Sequence, residues 1–149
     1  MLLRQSSHRK DVRVETLLPL ISTPSHSHFP LVYLAGAFSN RYRLREIREE
    51  LIRRGYAVLS SWLDREDETW PATKPSREEA RRDLLEMQQM DIFIVDTLIA
   101  STMGNNFCEF GFALSHPCQK YRVGPARNHY HLLIPGFQTW KELLDAFSR

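Results

Sequence analysis

The chain has 149 residues, enough for one domain with a single core. Apolar residues make up 42% and charged residues 26%, an ordinary globular balance, and no apolar run approaches the ~20 residues of a membrane span. The formal charge of +2 is too small to mark a binder of nucleic-acid polymers.

Residues 1–29 differ from the rest: they hold Ser, Thr, His and Pro clusters and little periodicity. Charges at Arg4, His8, Arg9 and Lys10 follow Met-Leu-Leu at once, which is not the order of a secretory signal. The expectation is a poorly ordered extension whose Leu17, Leu18, Leu20 and Ile21 can pack on the domain or on a partner chain. The domain itself spans 30–149. Residues 31–35, Leu-Val-Tyr-Leu-Ala, read as a strand ended by Gly36. Residues 41–54 read as a helix with Leu44, Ile47, Leu51 and Ile52 at helical spacing, closed by Gly55. Residues 56–62 read as a second strand, and 64–75 as a polar loop long enough to be a lid or a specificity segment. Ser76 with Glu79 forms a capping-box signal for a helix to about Met90, expected to bury Ala80, Leu84 and Met87.

A third strand at 92–95 runs into Asp96, and a loop covers 97–106. A short helix is expected from Glu109 to about Ser115, stopped by Pro117. Residues 121–123 and 131–134 are candidate strands, and Thr139 caps a last helix through Phe147. Strands alternating with helices argue a parallel, doubly wound sheet in three α/β/α layers.

The chemistry concentrates at the carboxyl end of the third strand, the rim where open α/β sheets bind ligands. Glu109, placed at a helix start, is read either as a nucleophile held ionised by the helix dipole or as plain dipole complementation. Gly104 before it and Gly111 after it suggest backbone crowding around the acid. Gly36-Ala-Phe38-Ser-Asn40 is either a ligand-approaching loop or a simple strand-to-helix turn, and it is not a dinucleotide fingerprint. Asp96 points toward the ligand rim, whereas Asp91 starts the strand and suits turn or cap chemistry. Asp83 can reach over the sheet or lie on the surface beside Arg81 and Arg82. His129 and His131 alternate on one strand face but lack partners at zinc spacing, as do the two cysteines, Cys108 and Cys118. Reduced thiols in a cytoplasmic protein are expected. A G-x-S-x-G elbow is missing, and nothing suggests an activated Cys108/His116 pair.

Four blocks in order carry a resemblance: Val32-Tyr-Leu-Ala-Gly36, Asp83-Leu84, Asp91-Ile-Phe-Ile94, and Gly104 followed by Glu109-Phe-Gly-Phe-Ala-Leu114. Over about residues 31–134 the chain resembles the nucleoside 2-deoxyribosyltransferase family, with its related deoxynucleoside 5′-monophosphate N-glycosidases. That resemblance implies a flavodoxin-like, Rossmann-type fold, a homo-oligomer, a small-molecule nucleoside or nucleotide substrate and no cofactor or metal. It implies that Glu109 attacks the anomeric carbon, that Tyr33 orients its carboxylate, and that Asp83 assists departure of the base. Where transferases of the family often carry another Asp, this chain has Met103. Ser101, Thr102, Asn105 and Asn106 are instead neutral and polar, suited to a sugar hydroxyl or a 5′-phosphate. The expected substrate-binding set is Gly36, Phe38, Asp96, Ser101, Gly104 and Asn105. The functions weighed are transfer, hydrolysis of a monophosphate, and nucleotide binding without chemistry. A basic helix face at Arg41, Arg43, Arg45 and Arg48 for a partner protein competes poorly, because Glu46, Glu49 and Glu50 interleave it.

Overall fold

The computed structural model describes residues 29–65, 76–101 and 105–147. Five strands form one sheet: β1 (Leu31–Ala35), β2 (Ala57–Val58), β3 (Ile92–Asp96), β4 (Gln119–Val123) and β5 (Gly136–Phe137). Their order is β2-β1-β3-β4-β5 and every pairing is parallel. The order reverses between β1 and β3, which makes their carboxyl ends the natural ligand crevice. The doubly wound α/β architecture expected from the alternation is therefore the observed one.

Four helices of eight or more residues flank the sheet: α1 (Arg41–Arg53), α2 (Arg77–Gln89), α3 (Asn105–Ser115) and α4 (Trp140–Phe147). Right-handed crossovers put α1 on one face and α2 with α3 on the other. The chain returns α4 to the α1 side, where Phe147 meets Tyr56 at 5.4 Å and Arg54 donates to the Leu144 carbonyl at 2.8 Å. The core is the two central strands, with Val32, Tyr33, Leu34, Phe93, Ile94 and Val95 buried between the layers. Leu44 and Leu51 of α1 close it from one side, while Ile52 is exposed. Gly55 ends α1 at φ 88°, a left-handed conformation that glycine adopts without steric cost.

Several elements differ from the sequence reading. The strand expected over 56–62 pairs only at Ala57–Val58. Beyond it, side chains replace the ladder: the Leu34 N–H donates to Ser60 Oγ at 2.6 Å, and the Trp62 indole donates to the Leu34 carbonyl at 2.8 Å. These bonds satisfy β1 while residues Ser61–Asp64 coil into a 3-10 turn. The strand expected over 131–134 is a 3-10 turn, His129–Leu133. Asn128 starts it by accepting the His131 N–H at 3.0 Å. His131 turns inward, edge-on to Phe110 at 4.9 Å. The extension before residue 29, residues 66–75 of the polar loop and Gly104 lie outside the described residues. No described helix is long and apolar enough to cross a membrane.

Candidate active site

Helix α3 starts at Asn105, so Glu109 sits one turn inside it rather than at its first residue. From there it reaches back over the sheet. The Tyr33 hydroxyl, rising from the middle of β1, donates to Glu109 Oε1 at 2.8 Å. Tyr33 is fully buried and held by a parallel stack on Phe93, centroids 6.2 Å apart. Phe93 in turn packs against Phe110, the residue after Glu109. The strand pair thus fixes the phenol, and the aromatic stack fixes the helix that carries the acid.

Helix α2 supplies the second acid. Ser76 caps it as its sequence suggests, accepting the Glu79 N–H at 3.3 Å. Its inward face is not the expected one. Of Ala80, Leu84 and Met87, only Met87 is buried. Leu84 is 45% and Leu85 58% exposed, while Asp83 and Glu86 face the sheet. Asp83 is more than a surface aspartate beside Arg81 or Arg82: its Oδ1 is buried and has no hydrogen-bond partner among the described residues. Glu86 is fixed by the Ser61 N–H at 3.1 Å. A helix that turns two carboxylates inward and two leucines outward breaks its local pattern, and such breaks concentrate at functional sites.

The electrostatics follow from crowding acids in a dry place. Solvent reaches part of the Glu109 residue, but its carboxyl group is sunk among protein atoms. Burial pushes that carboxyl up to about 8; the Tyr33 hydrogen bond and Arg65 pull it down, and the Asp83 and Glu86 charges push it further up. The helix-dipole expectation of a depressed value is thereby overturned, because desolvation outweighs the partial charge of a helix end one turn away. Burial also pushes Asp83 up to about 6, against the pull of Arg65 and with the help of Glu86 and Glu79. Burial first, then the Glu109, Asp83 and Glu86 carboxylates, hold the Tyr33 phenol far above its ordinary value, so it stays a donor. Arg65 is tied to Glu79 at 3.0 Å.

The remaining expected residues separate. At Gly36 a Cβ would lie 2.9 Å from Leu44 Cδ1 and 3.4 Å from Asp96 Cβ, so glycine there lets β1, β3 and α1 close up. Gly111 does not crowd anything: its outer side opens to free space. Phe38 lies on the 3-10 turn after β1, packed tilted on Trp62. Asp96 is buried with both oxygens engaged, one by the Trp140 indole at 2.7 Å and one by the Leu98 N–H at 2.9 Å. That pairing locks the end of β3 to the start of α4. Asp96 also lines the cavity at the carboxyl ends of the strands, the rim toward which it was expected to point.

Ser101 and Asn106 border a cavity of about 240 Å³ on the β4 side of α3, with Thr97, Arg127 and His131. Sequence reasoning missed Arg127 and set His131 on a strand face. Arg127 bridges the Thr97 and Leu98 carbonyls at 2.9 and 3.0 Å. The His131 Nδ1 accepts the Arg127 N–H at 3.1 Å, and burial with the two nearby arginines, Arg122 and Arg127, lowers its proton affinity. The signal was the Asn128 cap, which converts an apparent strand into a turn that aims His131 inward.

No protein-family model and no curated protein matches the sequence. Among solved structures, the chain is similar to the CMP N-glycosidase BcmB of Clostridium botulinum, at a TM-score of 0.51 and 16% identity, over 79% of this chain and 98% of that one. At that identity the likeness establishes a shared α/β fold.

Proposed function

We propose that the protein cleaves the N-glycosidic bond of 2′-deoxynucleosides or their 5′-monophosphates through a covalent glycosyl–Glu109 intermediate. The observation that carries this reading is the 2.8 Å bond from Tyr33 to Glu109, with a second buried acid, Asp83, beside them. A phenol holding one carboxylate in line, with a second carboxyl beside it to carry a proton, is the pairing that displacement at an anomeric carbon needs. The Glu109 carboxylate attacks C1′ and forms an ester as the C1′–N bond breaks. Asp83 delivers its proton to the departing base. Water then attacks C1′, returns the carboxylate and releases the sugar; a second base in place of water gives transfer. The fold shared with a CMP N-glycosidase supports the same bond class.

A monophosphate is favoured over a nucleoside as substrate by one feature. The cavity beside the first turn of α3 carries the Arg127 guanidinium with Ser101 and Asn106, a setting suited to a phosphate. Gly104 and Asn105 remain part of the proposed binding loop. The outward faces of α2 and α3 expose Leu84, Leu85 and Phe107, the last 52% exposed, and a second copy of the chain packed there fits the proposed homo-oligomer. Incubation with a deoxynucleoside, its 5′-monophosphate and a free acceptor base, followed by chromatography, tests the reading. Sugar phosphate and free base are expected from the monophosphate. A new nucleoside would mean transfer, and release of no base from any substrate would leave only ligand binding.

The phenol has its own expected effect. A hydrogen bond to a charged group contributes about 1.5–3 kcal/mol. Tyr33→Phe is therefore expected to lower kcat/KM by about 10- to 100-fold and to raise the proton affinity of Glu109 further. Steady-state kinetics across pH check both. An unchanged rate would remove Tyr33 from the machinery.

A further inference from the structure

Helix α2 turns one stripe of acids inward and is tied down at both ends of it. From Arg77 to Glu86 only Glu79, Asp83 and Glu86 are half-buried, and the other residues are exposed. Spacings of four and three residues put the three acids on one face. The two outer acids are bound to the segment after β2: Glu86 Oε2 accepts the Ser61 N–H at 3.1 Å, and Glu79 pairs with Arg65 at 3.0 Å. That segment is itself fastened to β1. Ser60 Oγ and the Trp62 indole bond the N–H and the carbonyl of Leu34, the residue after Tyr33. Asp83, between the two ties, keeps a buried Oδ1 that no described residue engages. A chain of bonds thus joins the strand that carries Tyr33 to the helix that carries Asp83, and Glu86 closes it.

Glu86 also brings a charge to the stripe. Residues three apart on a helix lie about 5–6 Å apart at Cβ, close enough for like charges to oppose each other's ionisation. Besides Glu86, the groups facing Asp83 are Glu79 and Arg82 on its own helix, Arg65 from the segment after β2, and Tyr33 and Glu109 across the site. Burial acts most strongly on Asp83; Arg65 and Arg82 oppose it, while Glu86 and Glu79 reinforce it, Glu86 the more. On Glu109, which stands on another helix, Glu86 acts more weakly than Asp83 or Arg65.

Resting on the glycosidase reading, we infer that Glu86 is a positioning residue: its tie to Ser61 fixes Asp83 in the site, and its charge biases the proton shared by the acids from Glu109 toward Asp83. In the productive form Asp83 holds the proton and Glu109 is the carboxylate. As C1′–N breaks, its electron pair goes to the base, which takes the Asp83 proton. The Glu109–C1′ ester forms, and Asp83 is left a carboxylate. Glu86 makes no bond to the substrate and exchanges no proton; it makes the productive form less rare.

The test uses the full chain and 2′-deoxynucleoside 5′-monophosphates. Glu86→Gln keeps an oxygen for the Ser61 N–H and removes the charge. Below the Asp83 value of about 6 both acids carry protons, so Glu109 cannot attack and the wild-type rate falls. In Glu86→Gln this acid limb is expected to move down by about one pH unit, and kcat at pH 7 to fall about 3-fold with KM unchanged. Glu86→Ala also opens the tie and is expected to lose about 10-fold more. In an Asp83→Asn background there is no proton to bias, so Glu86→Gln should change the plateau rate by less than about 2-fold. Carboxyl-carbon NMR titration of Asp83 should show the same displacement in Glu86→Gln with no substrate present. An acid limb or an Asp83 titration left at its wild-type position overturns the inference. So does an equal loss with and without Asp83, which makes Glu86 merely structural. A wild type inert on every nucleoside and nucleotide removes the glycosidase reading itself, a result distinct from the others.

Discussion

Glu109→Gln is expected to abolish turnover while making the folded protein more stable at alkaline pH. The loss of rate should reach about 10⁴-fold or more, because an amide cannot form the ester on which both half-reactions depend. The gain in stability follows from the carboxyl value of about 8, raised from 4.5 chiefly by burial. A carboxylate whose value is raised by folding favours the fold below its unfolded value and loses that contribution as pH climbs through the folded one. At pH 8 the wild type then carries a penalty of about 4 kcal/mol that glutamine does not. Glutamine keeps an oxygen for the Tyr33 hydroxyl, so the 2.8 Å bond survives. For a chain of this size the variant should melt about 10 °C higher at pH 8, with the difference shrinking toward pH 5. Melting curves at the two pH values check this. A variant that melts lower at pH 8 would show that Glu109 is not held in a dry site.

Asp83→Asn is expected to change the shape of the pH profile as well as its height. On the proposed mechanism Glu109 must lose its proton to attack, and Asp83 must keep its own to protonate the base. Their values run the other way, about 8 and about 6, so the pair holds one proton between those limits. The arrangement with that proton on Asp83 is the minor one, about 1% from a difference of two units. Wild-type kcat/KM should therefore be bell-shaped, with limbs near 6 and near 8. With asparagine, only ionisation of Glu109 governs the rate. The alkaline fall should vanish, and the acid limb should move up from about 6 toward 8, stopping short because the Asp83 charge no longer repels. At pH 7 the rate should drop by about 10²- to 10³-fold through lost proton donation. Retention of both limbs in the variant would assign the second ionisation to another group.

The elements that frame the site could be read before the structure, and those that fill it could not. β1 and β3 are runs of β-formers buried on both faces, so their position followed from composition alone. Glu109 and Tyr33 sit where the order of blocks put them, and their contact is the tertiary event that joins β1 to α3. The edge strands were misread because apolar runs there are satisfied otherwise. Ser60 and Trp62 side chains finish the pairing of β1, and Asn128 turns the run after it into a 3-10 helix. Asp83 was open to two readings because period counting assigns leucines to the core. α2 instead gives its inner face to acids, and only the sheet beneath shows why. The burial of Arg41 was not legible: in sequence it is one of several arginines on a charged helix face, and its burial depends on Phe38 and Tyr42 closing around it.

The most direct test is to incubate the enzyme with a 2-deoxy-2-fluoro nucleoside or its 5′-monophosphate, which slows release of the intermediate, and to weigh the intact protein and its peptides. The account predicts one added glycosyl mass, on the peptide containing Glu109 and absent from Glu109→Gln. Cleavage of the natural substrate with that peptide never labelled, or a label on another residue, would contradict it.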